Sequence, residues 1–545
     1  MANKNLFKST GSSTAVADTV NNAGGKAYAF TDKHAIAQIA VTNCFNGTYY
    51  ADADSNLNLV KEAVKNLRKD PVFVAKVAIY SRDKAYMKDM PAYLCAVLAA
   101  WGESKLFRKV FDKVIDNGKM LRNFIQIGRS GQAGKVINMS SGAVRHAIRD
   151  WFKNRSAVNI FRASIGDSPS MRDILRMARP CPESVEKATL YAYLKGAELK
   201  DGSFITYDKN GNIKYNNSYD NLPDLVKQFE AFKKTHSGEI PDVDFRLLDS
   251  VLSNDELKAL WKKQALNGGW HLVRMNLNNF AKYGVFEDSN CLNAIVSKLS
   301  NKEEIAKSRV YPYQLLMAYN ASQNKVPFSV GEALQDAMEI AIDNVPSING
   351  KIYVCVDTSG SMSSPVTGSR GTVSTNVRCV DVASLFAAAI LRRNKSAEVI
   401  PFDTRVHNTN LNSRDTVLTN AKTLSSYGGG GTDCGCAIKY INDNKGKGDA
   451  VIFISDNESW VDNSYSWSRG TSLMEGWNQF KKRNPDSKLV CIDITSRNNS
   501  QVSQKKDILQ VGGFGDQVFD VVSTFINGSN STDHWVELIE NISLD

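Results

Sequence analysis

The chain has 545 residues, of which 42% are hydrophobic and 23% charged, and its formal net charge is +10. A chain of this length is too long to fold around one hydrophobic core, so we expect two or more domains. The composition is typical of soluble globular proteins, and no stretch approaches the ~18 apolar residues that a membrane-spanning helix needs. The first residues lack the apolar core of a signal peptide, so we expect a cytoplasmic protein.

The positive charge lies in the first part of the chain. Residues 351–545 hold 20 Lys and Arg against 21 Asp and Glu, which leaves 47 basic and 36 acidic side chains in residues 1–350. The highest density is in residues 101–180, with 16 basic against 6 acidic side chains. Such a region is typical of proteins that bind a phosphate backbone, and a solvated helical face is the alternative.

The first 345 residues show mainly helical periodicity. Residues 1–26 are rich in Ser, Thr, Asn and Gly, and we expect a flexible N-terminal segment there. From about Asp32 apolar residues recur at helical spacings, and breaks such as Asp70-Pro71 separate helices of about ten to fifteen residues. This pattern predicts an all-α, HEAT-like solenoid of antiparallel helix pairs in residues 27–345.

Within the basic region, one helix carries three arginines on one face. Its apolar residues recur at core-facing spacings along Met171–Pro180, whereas Arg172, Arg176 and Arg179 repeat on the adjacent face. Guanidinium groups can bind phosphate in a bidentate manner, so these arginines are candidate RNA contacts. The glycine-rich stretch at residues 128–142 lacks the ending of a P-loop, which favours a simple connector.

Two other segments of the helical region carry specific predictions. Residues 199–221 contain an Asn-Gly turn between strand-like runs, which predicts a β-hairpin insertion. Trp270–Tyr283 is apolar enough to be a core helix, and its His271 and Arg274 are candidate residues of an RNA-binding groove.

After a short linker at residues 346–350, strands alternate with helices. We predict strands at residues 351–356, 397–402, 451–454 and 488–494. We predict helices at residues 380–393, 434–442, 473–483, 519–526 and 535–542. This alternation is typical of a parallel sheet with helices on both faces, so residues 346–545 are predicted to form a doubly wound α/β domain.

Three loops of this domain offer oxygen ligands. Asp357, Ser359 and Ser361 form a DxSxS turn after the first strand, Thr432 ends a glycine-rich loop, and Asp456 follows another apolar run. The carboxyl ends of parallel strands meet at one edge of a sheet, so the three loops are expected to converge. Carboxylate and hydroxyl oxygens suit a hard cation, for which Mg²⁺ is our expectation. An ordinary polar turn is the alternative for the first loop.

Other chemistries fit the sequence less well. The nine cysteines are an odd number scattered over the chain, which favours reduced thiols. Cys434 and Cys436 are separated by one residue, but no second Cys or His pair has a spacing suitable for zinc. A bound Mg²⁺ could activate water for phosphodiester hydrolysis, but the sequence offers no evident general base nearby, so we expect no catalysis.

The three loops resemble the metal-ion-dependent adhesion site of von Willebrand A domains, whose five ligand positions all match. A basic α-solenoid followed by such a domain resembles the Ro autoantigen family, whose helical part is the TROVE domain. Residues 172–180 are similar to the family's R/K-D-L-L-R-L-x-H-P/L stretch, and the sequences GGGTDC at 429–434 and SDNE at 455–458 are similar to its second and third metal loops.

This resemblance implies a function in RNA quality control. In the family the helical repeats close into a ring, misfolded RNA threads a single-stranded 3′ end through the central hole, and small Y RNAs bind the basic outer surface and can tether an exoribonuclease. Two basic positions of that surface correspond here to Arg162 and Arg179, and Arg179 replaces a histidine. The hairpin insertion departs from the family pattern.

The resemblance also implies how the metal would be held. Ser359, Ser361 and Thr432 would coordinate the ion directly or nearly so, Asp357 and Asp456 partly through water, and one position would stay open for an acidic oxygen of a partner. We expect a monomeric, non-catalytic RNA-binding protein. The alternative is a divalent-metal-dependent adaptor that binds proteins in the manner of adhesion A domains.

Overall fold

The computed structural model describes residues 14–140, 142–207, 210–236, 239–249, 251–308, 310–370, 373–374, 377–461, 470–495, 497–513, 515, 517–528 and 534–545. Contacts divide the chain into two compact units. The helical unit comprises Leu67–Ala294 with Ile542–Asp545, and the sheet unit comprises the described residues up to Asn66 with Ile295–Asn541. These units do not coincide with the predicted domains, because the first two helices of the chain and those just before the sheet pack with the α/β domain.

The N-terminal part of the sheet unit forms a small antiparallel sheet followed by two helices. Its elements are β1 (Thr19–Val20), β2 (Lys26–Ala29), α1 (Asp32–Thr42) and α2 (Ala53–Asn66). Strand β2 pairs with β1 on one side and with residues 499–500 on the other. Within residues 14–26, where the sequence predicted flexibility, β1 therefore pairs with β2, which in turn pairs with a strand far along the chain. Residues 1–13 are outside the described part.

Helices make up most of the helical unit. They are α3 (Pro71–Asp83), α4 (Asp89–Trp101), α5 (Ser104–Val114), α6 (Gly118–Ser130), α7 (Gly142–Lys153), α8 (Ala157–Arg162), α9 (Met171–Ala178), α10 (Val185–Leu194), α11 (Asp224–Thr235), α12 (Phe245–Leu248), α13 (Asn254–Asn267), α14 (Trp270–Met275), α15 (Leu277–Lys282) and α16 (Ser289–Leu299), which continues into the sheet unit. From α3 to α9, helices pack against the next helix or the next but one, as expected for stacked helix pairs.

Aromatic side chains fill the core between these stacked helices. The rings of Phe107, Phe111 and Phe124 lie with centroids 5.1–5.8 Å apart. Trp151 is fully buried, and its indole N–H donates to the Ile115 carbonyl at 2.7 Å. Burying each such ring contributes a few kcal/mol, which holds successive helices in register.

The predicted hairpin is present, and the predicted long helix is not. The insertion forms β3 (Leu199–Lys200), β4 (Ser203–Tyr207) and β5 (Ile213–Ser218), with β4 antiparallel to β5. The segment predicted as one helix from Trp270 to Tyr283 is instead divided into α14 and α15. Asn276 interrupts it at φ −113° and ψ 16°, and its Nδ2 donates to the Leu272 carbonyl at 2.9 Å. Side chains of this type compete with helical hydrogen bonds.

The rest of the sheet unit contains the α/β domain. Its helices are α17 (Lys302–Ser308), α18 (Pro312–Ser322), α19 (Phe328–Ala341), α20 (Cys379–Arg393), α21 (Val417–Ser425), α22 (Cys434–Asp443), α23 (Ser472–Arg483), α24 (Gln517–Asn527) and α25 (His534–Glu540). Its strands are β6 (Ile352–Asp357), β7 (Ser369–Arg370), β8 (Val373–Ser374), β9 (Glu398–Phe402), β10 (Ala450–Ser455), β11 (Lys488–Asp493), β12 (Asn499–Ser500) and β13 (Ile508–Gly512). Helix α21 and strand β13 were missed by the sequence prediction.

The main sheet places the candidate metal loops side by side. Its strand order is β13-β11-β10-β6-β9, with every pair parallel, as predicted. The two central strands, β6 and β10, are buried along their whole length, and Val356 pairs with Ile454. Both strands therefore end at the same edge. No described helix has both the length and the apolar character to cross a membrane.

Candidate metal centre and arginine surface

Asp357 joins the first metal loop (residues 357–363) to the third (residues 455–461). It ends β6, and its side chain is fully buried. Its Oδ1 accepts the Ser359 N–H at 2.9 Å, and its Oδ2 accepts the Ser455 hydroxyl at 2.5 Å. Ser455 ends the neighbouring strand β10. One carboxylate therefore fixes the turn and connects two strand ends.

Backbone hydrogen bonds connect the second metal loop (residues 428–433) to the first. The Gly429 N–H donates to the Thr358 carbonyl at 3.0 Å, and the Gly360 N–H donates to the Gly430 carbonyl at 2.9 Å. Gly428 has φ +94°, and a Cβ there would lie 1.8 Å from the Thr358 carbonyl oxygen. This position therefore requires glycine, because any side chain would separate the two loops.

The five predicted ligand residues lie together on these connected loops. The hydroxyl oxygens of Ser359 and Ser361 are 3.3 Å apart, and Ser361 lowers the pKa of Asp456, so it lies near that carboxylate. The Thr432 carbonyl accepts the hydroxyl of Ser459, in the third loop, at 3.3 Å. None of Asp357, Ser359, Ser361, Thr432 and Asp456 is more than 5% exposed. The convergence expected from the strand order is present in the structure.

The electrostatics of these loops fit a hard cation. Burial raises the pKa of Asp357, and the neighbouring Asp456 carboxylate raises it further. Burial also raises the pKa of Asp456, against hydrogen bonds and the Arg497 charge. Two buried carboxylates this close are unfavourable as anions unless a cation compensates them. Two carboxylates with three hydroxyls are donors that suit Mg²⁺, and these five residues would hold it.

The residues that the structure describes contain no other cluster of common metal-binding side chains. Among them, no group of three or more His, Cys, Asp or Glu side chains is arranged to hold a metal ion. Cys434 is buried, Cys436 is half-buried, and both are free thiols. An ion at the sheet edge would therefore depend on the hydroxyl groups, as in a metal-ion-dependent adhesion site.

The metal-free protein is expected to lose stability as the pH rises. The folded pKa values of Asp357, Asp456 and Glu458 are raised by burial, that of Glu458 to about 7. Between about pH 4 and pH 7 the folded state thus binds more protons than the unfolded state, and stability falls with increasing pH. Thermal unfolding in EDTA should show this decline in the wild type and a smaller one in Asp357→Asn. Equal slopes for the two proteins would contradict the prediction.

The arginine helix has the predicted faces. In α9, Met171, Ile174, Leu175 and Ala178 are buried, as the spacing indicated. A capping box formed by Ser170 and Asp173 begins the helix. Arg172, Arg176 and Arg179 are exposed, and Arg179 ends the helix in the left-handed conformation at φ 49°. The three guanidinium groups therefore lie on the surface of the helical unit.

Three further basic residues extend this arginine surface. The Ala178 carbonyl accepts from Arg145 Nε at 3.1 Å and from Arg149 Nε at 2.9 Å, so two arginines of α7 lie at the carboxyl end of α9. The pKa of Lys195 is lowered by burial and by the charges of Arg176 and Arg179, so its ammonium lies within range of both charges. We call these six residues the arginine surface: Arg145, Arg149, Arg172, Arg176, Arg179 and Lys195. Sequence reasoning missed the first two and the last, because only tertiary packing brings them to α9.

The other predicted RNA contacts lie elsewhere in the helical unit. Arg162, in α8, forms an ion pair with Asp242 at 2.8 Å, so its charge is partly compensated. His271 and Arg274 lie in α14, His271 exposed and Arg274 half-buried with its guanidinium 5.6 Å from the centre of the Trp270 ring. Burial and the Arg274 charge lower the pKa of His271, which favours a neutral imidazole.

Fold and site together define the class of protein: stacked helices combined with a von Willebrand A-type α/β domain. Residues 351–526 match the family model described as the Ro60 vWA domain. The chain is 24% identical to the RNA-binding protein RO60 of Deinococcus radiodurans over 532 residues, covering 93% of this chain and 95% of that one. It is 22% identical to the RNA-binding protein RO60 of Caenorhabditis elegans over 266 residues, which is 46% of this chain and 40% of that protein.

A solved structure has the same fold. The crystal structure of the Deinococcus radiodurans Ro (Rsr) protein matches with a TM-score of 0.58 and 18% sequence identity, covering 91% of this chain and 100% of that chain. The resemblance to the Ro family is thereby confirmed, as is the predicted order of a helical region followed by an A-type domain. Closure of the helices into a ring stays a prediction.

Proposed function

We propose that this protein is a non-catalytic RNA-binding protein of the Ro type. The observation that carries this proposal is the arginine surface, where the exposed arginines of α9 are joined at its carboxyl end by the half-buried Arg145 and Arg149. Arginine pairs with phosphate in a bidentate manner, and such contacts supply most of the affinity for RNA. The similar proteins of Deinococcus radiodurans and Caenorhabditis elegans are both named as RNA-binding proteins.

The finer form of the proposal follows from the family resemblance. Small Y-like RNAs would bind the arginine surface together with Arg162, and single-stranded 3′ ends of misfolded RNA would enter a central hole near His271 and Arg274. Single strands expose unpaired bases that a closed A-form helix hides, which gives the selectivity for damaged RNA. The protein would act as a cytoplasmic monomer and could present such RNA to an exoribonuclease.

Sequencing the RNA that crosslinks to the purified protein tests this proposal. Small structured RNAs and RNAs with free single-stranded 3′ ends should be enriched over the input. The crosslinked peptides should include residues of α7 or α9. Recovery of RNA in proportion to its abundance, without either class enriched, would contradict it.

Affinity for a structured RNA is expected to fall steeply with salt. A surface that contacts about four phosphates predicts a slope near −3 when log K is plotted against log salt concentration, because bound counterions are released. Filter binding at several KCl concentrations measures the slope. A slope near zero would show that phosphate contacts do not carry the affinity.

The metal centre favours a second candidate function, a divalent-metal-dependent adaptor for an acidic protein. Its oxygen ligands lie on the sheet unit, whereas the arginine surface lies on the helical unit. The two functions can therefore be separated. Binding of an acidic partner through the ion should be lost with EDTA or with Asp357→Ala, while RNA binding should persist under both conditions.

A further inference from the structure

The candidate metal centre is covered by other segments of the same unit. An adhesion-type ion needs a coordination position open to a partner's carboxylate, but none of the five ligand residues is more than 5% exposed. Two N-terminal segments contact its loops: the hairpin at residues 19–29 and the α1–α2 loop at residues 43–52. Each is fixed by specific side chains.

Tyr50 brings the α1–α2 loop to the metal ligands. Tyr50 lines a pocket with Ser364 and Pro365, which directly follow the first metal loop, and burial and the Asp456 charge raise its pKa. The same loop is bound to the strand region after the first metal loop, where the Gly47 N–H donates to the Ser369 carbonyl at 3.1 Å. Tyr50 therefore lies beside the first and third metal loops.

Arg497 connects this loop to the acidic side of the centre. The side chain is 9% exposed, and it donates to Asn56 Oδ1 at 2.5 Å and to Thr48 Oγ1 at 2.6 Å. Its charge also acts on Asp456 and Glu458. A buried guanidinium is stable only with such partners, so the N-terminal helices and the metal loops share one polar network.

The hairpin holds the third metal loop through the residues that follow Asp456. Asn22 Nδ2 donates to Glu458 Oε1 at 2.8 Å, and the Ala23 N–H donates to Glu458 Oε2 at 3.2 Å. Asn21 Nδ2 donates to the Ser459 carbonyl at 2.7 Å. Glu458 is 2% exposed, and both oxygens of its carboxylate accept hydrogen bonds from the N-terminal hairpin.

We propose that the ion of this centre is an internal latch that holds the hairpin and the α1–α2 loop against the A-type sheet. Tyr50 is a positioning residue that lies beside the first and third metal loops and closes the position that a partner's carboxylate would occupy. A ligand stabilises the arrangement to which it binds, so the ion should strengthen the docking of both segments. This inference depends on the proposed metal centre, is independent of RNA binding, and is an alternative to the adaptor function, which needs the same position open.

Hydrogen exchange of the full chain, with Mg²⁺ or with EDTA, tests the latch. Mg²⁺ should slow amide exchange in residues 19–29 and 43–52 by at least about fivefold, together with the three metal loops. Protection confined to the three loops would overturn the inference. RNA binding measured on the same samples should not change with EDTA, so a failure of the latch is distinguishable from a failure of the RNA-binding proposal.

Mn²⁺ titration, followed by the loss of the free-ion signal in electron paramagnetic resonance, tests Tyr50. Tyr50→Phe removes one hydroxyl and should weaken Mn²⁺ binding about tenfold, as for other residues that orient metal ligands. The matched control is Tyr49→Phe, because Tyr49 is the adjacent tyrosine and is 63% exposed. The unfolding midpoint in EDTA should be the same for both variants, which separates positioning from general stability.

Acetate serves as the probe for an open coordination position. If the site is closed, acetate should leave the Mn²⁺ affinity of the wild type unchanged, since a carboxylate that joins the ion would raise it by linkage. A rise in affinity with acetate, or equal Mn²⁺ affinities for Tyr50→Phe and Tyr49→Phe, would overturn the role of Tyr50. Absence of any Mn²⁺ binding would overturn both the metal centre and the latch.

Discussion

Replacing Arg172, Arg176 and Arg179 together by glutamate should weaken the binding of a Y-like RNA by about a hundredfold or more at low salt, since three phosphate contacts become repulsive. The salt dependence should also decrease, by roughly one unit of slope for each arginine that no longer pairs with a phosphate. All three side chains are exposed, so circular dichroism should be unchanged. Filter binding with a structured RNA measures the effect.

A control with the same change of charge is available in the sheet unit. Lys439, Lys445 and Lys447 are exposed on and just after α22, and their replacement by glutamate changes the net charge equally. This triple variant should lose only the small, long-range part of the attraction. Equal losses for the two variants would show that net charge, and not the arginine surface, determines affinity.

Asp357→Asn should weaken the binding of Mg²⁺ by about a hundredfold or more, because even residues that only orient metal ligands contribute ten- to a hundredfold. The amide keeps nearly the shape of the carboxylate and removes one of two buried charges. In EDTA the variant should therefore be at least as stable as the wild type near pH 8. Thermal unfolding with and without Mg²⁺ measures both effects.

Asp493 provides the matched control. It ends β11, beside Ser455 in the sheet register, and it is 2% exposed, but it belongs to none of the three metal loops. Asp493→Asn should keep the rise in melting temperature that Mg²⁺ gives the wild type. If Asp493→Asn lost this rise while Asp357→Asn retained it, the ion would bind at another position of the sheet edge.

The metal loops could be predicted because their information is local. The DxSxS turn and the residues after β10 are short motifs at strand ends, and parallel strands necessarily bring such ends together. The apolar stripe of α9 was predictable for the same reason, since its spacing lies within three turns. What surrounds both sites was not predictable: Tyr50 and Arg497 reach the metal loops from distant parts of the chain, as Arg145 reaches α9.

The misassigned elements have a similar cause. Trp270–Tyr283 has the apolar content of one helix, and only the side-chain hydrogen bond of Asn276 reveals the break. Strand β13 is five residues long and lies at the sheet edge, so it carries little periodicity. The pairing of β2 with residues 499–500 has no local signal at all.

That pairing has a consequence for how the protein is made. Strand β2 emerges from the ribosome long before Asn499 and Ser500 exist, and at about 5–20 residues per second the delay is on the order of tens of seconds or more. The segment from Leu67 to Ala294 can assemble during that time from neighbouring helices. Strand β2 must wait without this partner until Asn499 and Ser500 have been made, so it stays open to chaperones and proteases during that time.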